Sequence, residues 1–358
     1  MEVVKFADIV SRVNTKEDRF NTDKIYYVGG DHIDSNELMV RQRGIIKGST
    51  IGPMFYCGFK AGDILFVTRN PHLRKCAVVD IDGICSEKTF VLATKDSSKL
   101  LQEYLALIMQ SDEFWAYCDE NKSGGVNFFL NWSTLADYEF SLPSIEEQKV
   151  LADKLWAAYK VKESYRQLLS TTDEMLKAKF QEMFDFQDLD LTNPTNDFDK
   201  YCFDATSSAT KIPAGNYLDE GKYAIYDQGQ EKDIAGFTNT EDGVNKDYPV
   251  ILFGDHSRVI KFINEPFFIG ADGVKIIRVK DEKTLLPYFL FYDLLYHNIP
   301  NTGYNRHFKY IKMLKLTVPP MELQQQFAEI ATQAEATKTS LRASIEAIDR
   351  VIRSLINQ

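Results

Sequence analysis

The chain contains one long-helix pattern twice, and this repeat limits most strongly what it can fold into. The segment LPSIEEQKVLADKL begins at residue 142, and its counterpart VPPMELQQQFAEIA begins at residue 318. After each segment, apolar residues recur at alternating spacings of four and three. This spacing predicts two long helices, each roughly 55–60 Å in length, that pair as a coiled coil.

The two predicted helices keep the same heptad phase over about five heptads, which ordinary amphipathic helices seldom do. We place in the coiled-coil core Leu151, Leu155, Leu169, Leu176, Phe327, Leu341, Ile345, Ile348, Ile352 and Leu355. Lys162 and Lys338 fall at equivalent core positions, where a parallel pair would bring like charges together. We therefore predict an antiparallel coiled coil with pseudo-twofold symmetry. The simpler alternative is that each helix packs only on its neighbouring domain.

The repeat extends into the regions before the helices. GDILFVTRNPHLRK (62–75) resembles YPVILFGDHSRVIK (248–261), and GGVNFFLNWSTLADYEFSLP (124–143) resembles TGYNRHFKYIKMLKLTVP (302–319). Short β-rich runs in both copies precede helix-like stretches, which predicts two similar domains of the α/β (α+β) class. The predicted boundaries are 1–142 for the first domain, 143–184 for the first helix, 185–318 for the second domain and 319–358 for the second helix. Within the second domain, residues 185–199 form an acidic, turn-rich linker.

Charge is unevenly distributed along the chain. The net charge is −10, but residues 41–75 contain seven Lys or Arg and one acid, and residues 297–318 contain four Lys or Arg and no acid. Residues 185–245 contain 13 acids and four lysines, and the sequence does not say what this acidic segment does. Local basic stretches of this kind are compatible with a nucleic-acid partner despite the overall negative charge.

No pattern in the sequence indicates catalysis, secretion or a membrane span. We find no amino-methyltransferase motif, no glycine-rich loop for S-adenosylmethionine, no phosphate-binding lysine motif, and no metal-ligand spacing among the five histidines. The apolar runs are too short to cross a bilayer, and the N-terminus lacks a signal peptide. The five cysteines have no pairing pattern, which suggests free thiols in a reducing cytoplasm. We therefore predict a non-catalytic, metal-free cytoplasmic protein.

These features together resemble a known family. The phrases FKAGDILF (59–66), LRK (73–75) and DGICS (82–86), the junctions LPSIEEQ and VPPMELQ, and their doubling around heptad helices resemble the specificity (S) subunit of type I restriction–modification systems. The resemblance implies two target-recognition domains that read a bipartite DNA site, held apart by the helices. It also implies docking of methyltransferase (M) subunits, two of them, with S-adenosylmethionine held by those partners, and optionally of restriction (R) subunits.

Basic and amide side chains in predicted loops are the candidates for DNA contact, because cations neutralise phosphates and paired donors and acceptors read bases. In the first domain they are Arg41, Arg43, Lys47, Arg69, His72, Arg74, Lys75 and Asn127. In the second they are Gln228, Gln230, His256, Arg258, Asn301, Tyr304, Asn305, Arg306, His307 and Lys309. Taken singly, a basic residue is more often a solvated surface charge than a DNA contact, whereas the acid-free stretch 301–309 favours a DNA contact.

Two other interpretations remain open at this stage. A coiled-coil scaffold that binds only proteins would explain the helices but not two repeated domains with basic loops. A stand-alone modification enzyme would need a cofactor fold that the sequence does not indicate. Trp156 and Tyr159 on the first helix are candidates for contact with the methyltransferase. They are equally compatible with packing on their own domain.

Overall fold

The computed structural model describes residues 2–230, 232–270 and 272–357. Contacts divide the chain into unit 1, Met1–Gln167 with Leu341–Gln358, and unit 2, Leu168–Ser340. This division passes through both long helices, so each unit contains one of the two repeated domains and a part of each helix. The two units are described separately below.

Unit 1 contains two four-stranded sheets and a short two-stranded sheet. Its elements are β1 (Glu2–Lys5), α1 (Phe6–Ile9), β2 (Val10–Val13), β3 (Tyr26–Val28), β4 (Gly44–Ile45), β5 (Phe55–Phe59), β6 (Ile64–Val67), β7 (Cys76–Val78), β8 (Gly83–Ser86), β9 (Thr89–Thr94), α2 (Gln102–Ile108), α3 (Asp112–Glu120), α4 (Trp132–Ala136) and β10 (Glu139–Leu142). The order β2-β9-β6-β7 is antiparallel throughout, whereas β4-β3-β8-β5 has a parallel pair, β3 with β8. Strand β1 pairs with β10.

Unit 2 repeats this plan after the long helix α5 (Ile145–Met183). Its elements are α6 (Asp197–Tyr201), β11 (Cys202–Asp204), β12 (Lys211–Ile212), β13 (Tyr223–Tyr226), β14 (Gly236–Thr238), β15 (Val250–Gly254), β16 (Ile260–Ile263), β17 (Phe267–Gly270), β18 (Val274–Val279), α7 (Pro287–Tyr296) and α8 (Phe308–Ile311), and the long helix α9 (Met321–Ile356) follows. The sheet β11-β18-β15-β16 is antiparallel, and β12-β17-β13-β14 is mixed. The predicted α/β class with two similar domains is confirmed.

The central strands are apolar at every position because their sheets are covered on both faces. In β6, Ile64 and Phe66 belong to a core shared with the helices, while Leu65 and Val67 face the second sheet. Strand β15 shows the same alternation, with Ile251 and Phe253 in the helix-side core and Val250 and Leu252 in the sheet-side core. Burial on both faces explains the uninterrupted runs ILFV and VILFG, which carry no polar alternation.

Within each unit, parts of α5 and α9 pack antiparallel. In unit 1, Lys162 Nζ lies 2.6 Å from Asp349 Oδ1, and Leu151, nearer the start of α5, lines one depression with Leu355, nearer the end of α9. In unit 2, Lys338 Nζ lies 2.6 Å from Asp173 Oδ1, and the rings of Phe180 and Phe327 are 5.0 Å apart. The antiparallel direction predicted from the two lysines is therefore present in both units.

The positions assigned to the coiled-coil core are buried or half-buried. Leu155, Leu176, Phe327, Leu341 and Ile352 are buried, and Leu151, Leu169, Ile345, Ile348 and Leu355 are half-buried. Both core lysines are also buried, at 5% and 8% exposure for Lys162 and Lys338, and each carries two carboxylate partners. A buried ammonium needs such partners because burial otherwise disfavours its charge.

The start of each long helix is fixed to the domain that precedes it by one buried glutamine. Gln148 donates from Nε2 to the carbonyls of Lys99 and Pro143 and accepts from Leu101 N, at 2.8, 3.0 and 3.0 Å. Gln324 makes the corresponding bonds with Thr284 O, Pro319 O and Leu286 N, at 2.9, 2.8 and 2.9 Å. The two glutamines are 1% and 0% exposed. Ser144 and Glu147 form a capping box at the start of α5 through two reciprocal bonds.

Replacing Gln148 by leucine should lower the free energy of unfolding of unit 1 by about 3 kcal/mol, because buried backbone groups would lose their partners. All three tryptophans of the chain (115, 132 and 156) lie in unit 1, so urea unfolding followed by tryptophan fluorescence reports on this unit. Gln167→Leu is the matched control, since Gln167 is exposed on the same helix and its loss should change stability by less than about 0.5 kcal/mol. Equal effects of the two substitutions would contradict the proposed role of Gln148.

Two segments differ from their simplest sequence-based interpretation. The acidic residues 185–199 are not an unattached tether, because Phe186 and Leu189 pack on the core of unit 2 and Asp188 accepts a bond from Asn298 N. Trp156 and Tyr159 pack on the first repeated domain, where Trp156 donates to Glu103 O. Of the two alternatives for this aromatic pair, the structure therefore favours the intramolecular one.

Among the helices of the described residues, none combines the length and apolar character that crossing a membrane requires.

Candidate nucleic-acid interface

In unit 2, three loops that follow different strands meet at one place. They are residues 227–230 after β13, residues 255–258 between β15 and β16, and residues 300–307 before α8. Gln228 Oε1 accepts from His256 N at 3.1 Å, and Gln230 Nε2 donates to Ser257 O at 2.9 Å. His256 Nδ1 lies 3.2 Å from Asn305 O. We refer to these three loops as the unit 2 loop cluster.

The outer surface of the unit 2 loop cluster carries an aromatic pair. The ring of Tyr304 is stacked on that of His256, with centroids 4.6 Å apart and an interplanar angle of 6°. The Tyr304 side chain is nonetheless 89% exposed, so only one face of it is covered. Arg306 and Lys309 are exposed nearby, and Arg306 has no hydrogen bond or ion pair within the described residues. The arrangement offers a flat apolar ring beside unpaired positive charge.

Asp255 holds the unit 2 loop cluster together from inside. This residue is 3% exposed, and its carboxylate accepts from Phe308 N at 2.8 Å. Its carbonyl accepts from His307 N at 2.8 Å and lies 2.9 Å from the Nδ1 atom of the same residue. The other ring nitrogen of His307 lies 3.3 Å from Thr302 N. Because each nitrogen of the His307 ring has a partner, the ring holds the loop before α8 in place.

His307 does not fit the base contact predicted for it from sequence. The residue is 1% exposed, and both ring nitrogens have partners inside the cluster. Its physical role here is to position the loop. Three further candidates also use polar groups internally: Arg258 donates to Ile299 O at 3.0 Å, Asn301 accepts from Gly303 N at 3.1 Å, and Asn305 donates to Thr302 O. These three residues retain exposed or half-exposed surface.

Unit 1 forms a corresponding loop cluster from residues 29–36, 68–75 and 122–130. Asn70 N donates to Phe128 O and Leu130 N donates to Thr68 O, both at 2.9 Å. The latter bond corresponds to that from His307 N to Asp255 O in unit 2. Lys75 Nζ donates to Gly30 O at 2.6 Å, which attaches the third loop. We refer to these loops as the unit 1 loop cluster.

Five sequence-predicted residues meet in the unit 1 loop cluster: Arg69, His72, Arg74, Lys75 and Asn127. Arg69 lies over the Phe129 ring at 5.1 Å, and Arg74, at φ 50°, pairs with Asp112 at 2.6 Å. Arg258 in unit 2 has a similar left-handed conformation at φ 64°. His72 and Asn127 are exposed. The two units therefore present chemically comparable loop clusters from equivalent strand ends.

The remaining three candidates of unit 1 lie elsewhere. Arg41 pairs with Glu37 at 2.5 Å and Glu163 at 3.1 Å, so it belongs to an ionic cluster at the long helices. Arg43 lies over the Tyr26 ring at 4.9 Å and pairs with Asp80. Lys47 lines a depression of about 580 Å³ at the β4 edge. These three residues are close in sequence to the other candidates, but the fold places them outside the unit 1 loop cluster.

The sequence-predicted candidates omit most of the lining of this depression, and they omit the apolar residue at the exposed tip of the unit 1 loop cluster. Arg19, Lys24 and the 84% exposed Phe20 also line the depression. At the tip, Val126 is 91% exposed. The available signal for Val126 was the match between Gly125-Val126-Asn127 and Gly303-Tyr304-Asn305 in the two repeats.

Unit 2 also contains a buried acid–base pair behind the loops. Burial raises the pKa of Asp293 to about 7 and lowers the pKa of His297 to about 4, although the charge of Asp188 opposes the latter shift. The Asp293 Oδ1 and His297 Nε2 atoms are 3.9 Å apart, and neither makes a hydrogen bond among the described atoms. The pair affects the stability of unit 2 and does not contact a ligand, because both side chains are completely buried.

The pH dependence of unit 2 should change when either member of this pair is removed. A folded-state pKa above the unfolded value stabilises the fold at pH below the unfolded pKa, so Asp293 loses this stabilisation as pH rises from 3.8 to about 7. A folded-state pKa below the unfolded value has the opposite effect, so unit 2 gains stability from His297 as pH rises from about 4 to 6.5. These trends oppose each other, each on the order of 3 kcal/mol. His297→Phe should therefore make unit 2 less stable at pH 7 than at pH 4.5, and Asp293→Asn should do the reverse.

Urea unfolding followed by far-UV circular dichroism at the two pH values would test this, with tryptophan fluorescence of unit 1 as the internal reference. An unchanged pH profile in both variants would contradict the assigned direction of the two pKa shifts.

Comparisons with known proteins follow the same two-part organisation. A sequence model of the type I restriction modification DNA specificity domain matches residues 1–169 and again residues 203–350. These matches include most of the chain, which therefore belongs to this family, and the predicted family is confirmed. No curated protein matches the sequence.

Two solved structures are similar in fold. One is the S subunit of a type I restriction–modification system from M. genitalium, with 14% identity and a TM-score of 0.55 over 99% of this chain and 94% of that one. The other comes from a study of complex assembly and conformational transition of the type I R-M system, with 19% identity and a TM-score of 0.52 over 99% and 96%. At these identities the likeness concerns the fold alone.

Proposed function

We propose that this chain is the non-catalytic DNA specificity subunit of a type I restriction–modification complex. Each unit reads one half of a bipartite DNA site through its loop cluster. The observation that carries this proposal is the correspondence of the two loop clusters, which arise from equivalent strand ends in two units that both match a DNA specificity domain. Direct reading of bases requires donors, acceptors and apolar groups at such exposed loops.

Electrostatics supports the assignment of these loops. Residues 297–318, which contain most of the third loop of unit 2, carry four Lys or Arg and no acid. The exposed cations Arg306 and Lys309 stand beside the stacked Tyr304. Cations supply the salt-dependent affinity for phosphates, whereas amide and aromatic side chains distinguish bases.

The helices and partners complete the proposal. A continuous helix of 36 or 39 residues is about 55 Å long or more and would hold the two half-sites at a fixed spacing. The chain would dock two M subunits, which hold S-adenosylmethionine and perform the methyl transfer, and it would accept R subunits where these exist. The five free thiols agree with a cytoplasmic complex.

Methylome mapping of the complex would test the function. The chain would be purified with the methyltransferase encoded beside it, and methylated bases would be mapped by single-molecule sequencing. The expected result is a split motif with two short specific parts around a gap of fixed length. Exchanging residues 1–142 for those of a related subunit should change one part only.

The alternative function, a coiled-coil scaffold that binds only proteins, makes a different prediction. A scaffold would give no salt-dependent DNA binding in a complex that still assembles. The specificity subunit should lose DNA affinity steeply between 50 and 200 mM salt, because phosphate contacts release counterions. Assembly without methylation and without such binding would favour the scaffold.

A further inference from the structure

Each unit places one large apolar side chain, almost completely exposed, in the loop before a short helix, before α4 in unit 1 and before α8 in unit 2. Val126 is 91% exposed and Tyr304 is 89% exposed, and each is the most exposed large hydrophobic residue that the structure describes in its unit. Both follow a glycine and precede an asparagine. Exposed apolar side chains are normal when scattered singly, but their recurrence in corresponding loops, each within a Gly-X-Asn triplet, indicates a partner of the same kind.

Both tips are built as defined turns rather than loose loops. In unit 1, reciprocal bonds of 2.8 and 2.9 Å between Ser123 and Phe129 close the loop, and Gly124 adopts φ +99°. A Cβ atom at Gly124 would meet Asn127 O at 2.6 Å, so only glycine fits there. In unit 2, Gly303 adopts φ +78° and its carbonyl accepts from Asn305 N at 2.8 Å. The backbone thus holds each apolar side chain outward.

The surroundings of the tips favour nucleic acid over a protein partner. The loop that carries Val126 also contains Lys122, whose ammonium pairs with Asp119 at 3.0 Å, and Arg69 of the neighbouring loop lies over the Phe129 ring at 5.1 Å. Beside Tyr304 lie the exposed Arg306 and Lys309. An apolar tip framed by cations suits a base edge between phosphates, because the cations contact the backbone while the tip enters the groove.

We propose that Val126 and Tyr304 are corresponding specificity-determining residues, each of which contacts a base in its own half-site. This inference rests on the proposed function. Val126, a small aliphatic side chain, suits the 5-methyl group of thymine. Tyr304, made rigid by its stack on His256, suits contact between its ring and a base. Because the two side chains differ, the two half-sites differ at the base that each of them contacts.

The test uses the full chain in complex with its methyltransferase. Wild type, Val126→Ala and Tyr304→Ala would be compared by methylome mapping and by binding to DNA carrying single base changes in each half-site. We expect each substitution to lower discrimination about 5- to 100-fold at one position of one half-site and to leave the other half unchanged. Folding is not at risk, since both side chains project into solvent.

Uracil provides a sharper test of the thymine contact. Replacing thymine by deoxyuridine at the affected position should weaken wild-type binding and leave Val126→Ala unaffected, because uracil lacks the methyl group. Reciprocal changes, Val126→Tyr and Tyr304→Val, should alter the base preference of the corresponding half only.

The outcomes separate this inference from the function it rests on. An unchanged motif in both alanine variants, beside a normal split motif for wild type, would overturn the inference alone. Loss of co-purification with the methyltransferase, with the motif unchanged, would identify the tips as a protein-binding surface and would also overturn it. Absence of any split motif in the wild-type complex would instead count against the proposed function.

Discussion

Replacing Asp255 by alanine should lower specific DNA binding and methylation by the assembled complex about 30-fold while leaving unit 1 folded. The Asp255 carboxylate is buried and accepts from Phe308 N at 2.8 Å, so its loss leaves a buried backbone donor without a partner. Such a loss costs about 2 kcal/mol, which corresponds to about 30-fold in an equilibrium constant. The lost bond destabilises the ordered form of the unit 2 loop cluster, which is the form that binds DNA.

Asp255→Asn is the matched variant for this experiment. It retains an oxygen acceptor for Phe308 N, so it should recover most of the binding that alanine loses. Methylation rates on an oligonucleotide with the full site, with tryptophan fluorescence as a check on unit 1, would measure both variants. Equal activity of wild type and Asp255→Ala would show that this carboxylate does not organise the recognition loops.

Replacing Glu37 by alanine should lower the free energy of unfolding of unit 1 by about 3 kcal/mol. The carboxylate of Glu37 is 13% exposed and contacts Lys162, Arg166 and Arg41 at 3.2, 2.8 and 2.5 Å. Lys162 also pairs with Asp349 at 2.6 Å. Loss of Glu37 would leave three neighbouring cations with fewer partners, one of them buried, and would weaken the attachment of the first domain to α5.

Glu163→Ala is the control for Glu37→Ala, since Glu163 belongs to the same cluster but its side chain is 36% exposed. An exposed pair contributes less than about 1 kcal/mol, and salt screens it. Urea unfolding monitored by tryptophan fluorescence at low and high salt would compare the two. A Glu37 effect no larger than that of Glu163 would indicate that water, rather than the carboxylate, satisfies Lys162.

The fold was predictable where the pattern repeats. Heptad spacing, with Lys162 and Lys338 at equivalent core positions, indicated long antiparallel helices. The runs ILFV and VILFG indicated the central strands. The strand order was not predicted, because strands such as Gly44–Ile45 and Lys211–Ile212 are only two residues long. Strands this short carry no periodic signal, and their pairing depends on contacts distant in sequence.

The candidate interface was predictable in part. Residue types indicated Tyr304, His256 and Arg306, which the structure brings to one loop cluster. Composition could not separate His307, which is buried, from its exposed neighbours, nor could it separate Arg41, held in an ionic cluster, from Arg69 and His72. Val126 carried no polar group and was overlooked, although the repeat had already aligned it with Tyr304.

The sequence by itself determined the twofold repetition, the long helices and the family, because these depend on periodic patterns and on matching segments that each lie close together along the chain. Only the tertiary structure decided which polar residues are exposed together. Loops such as 255–258 and 300–307 meet because sheet pairing brings distant strand ends to one edge, and the contact of His307 with Asp255 exists only after that pairing. Sequence thus fixes which side chains are available, and packing decides which of them can reach a partner.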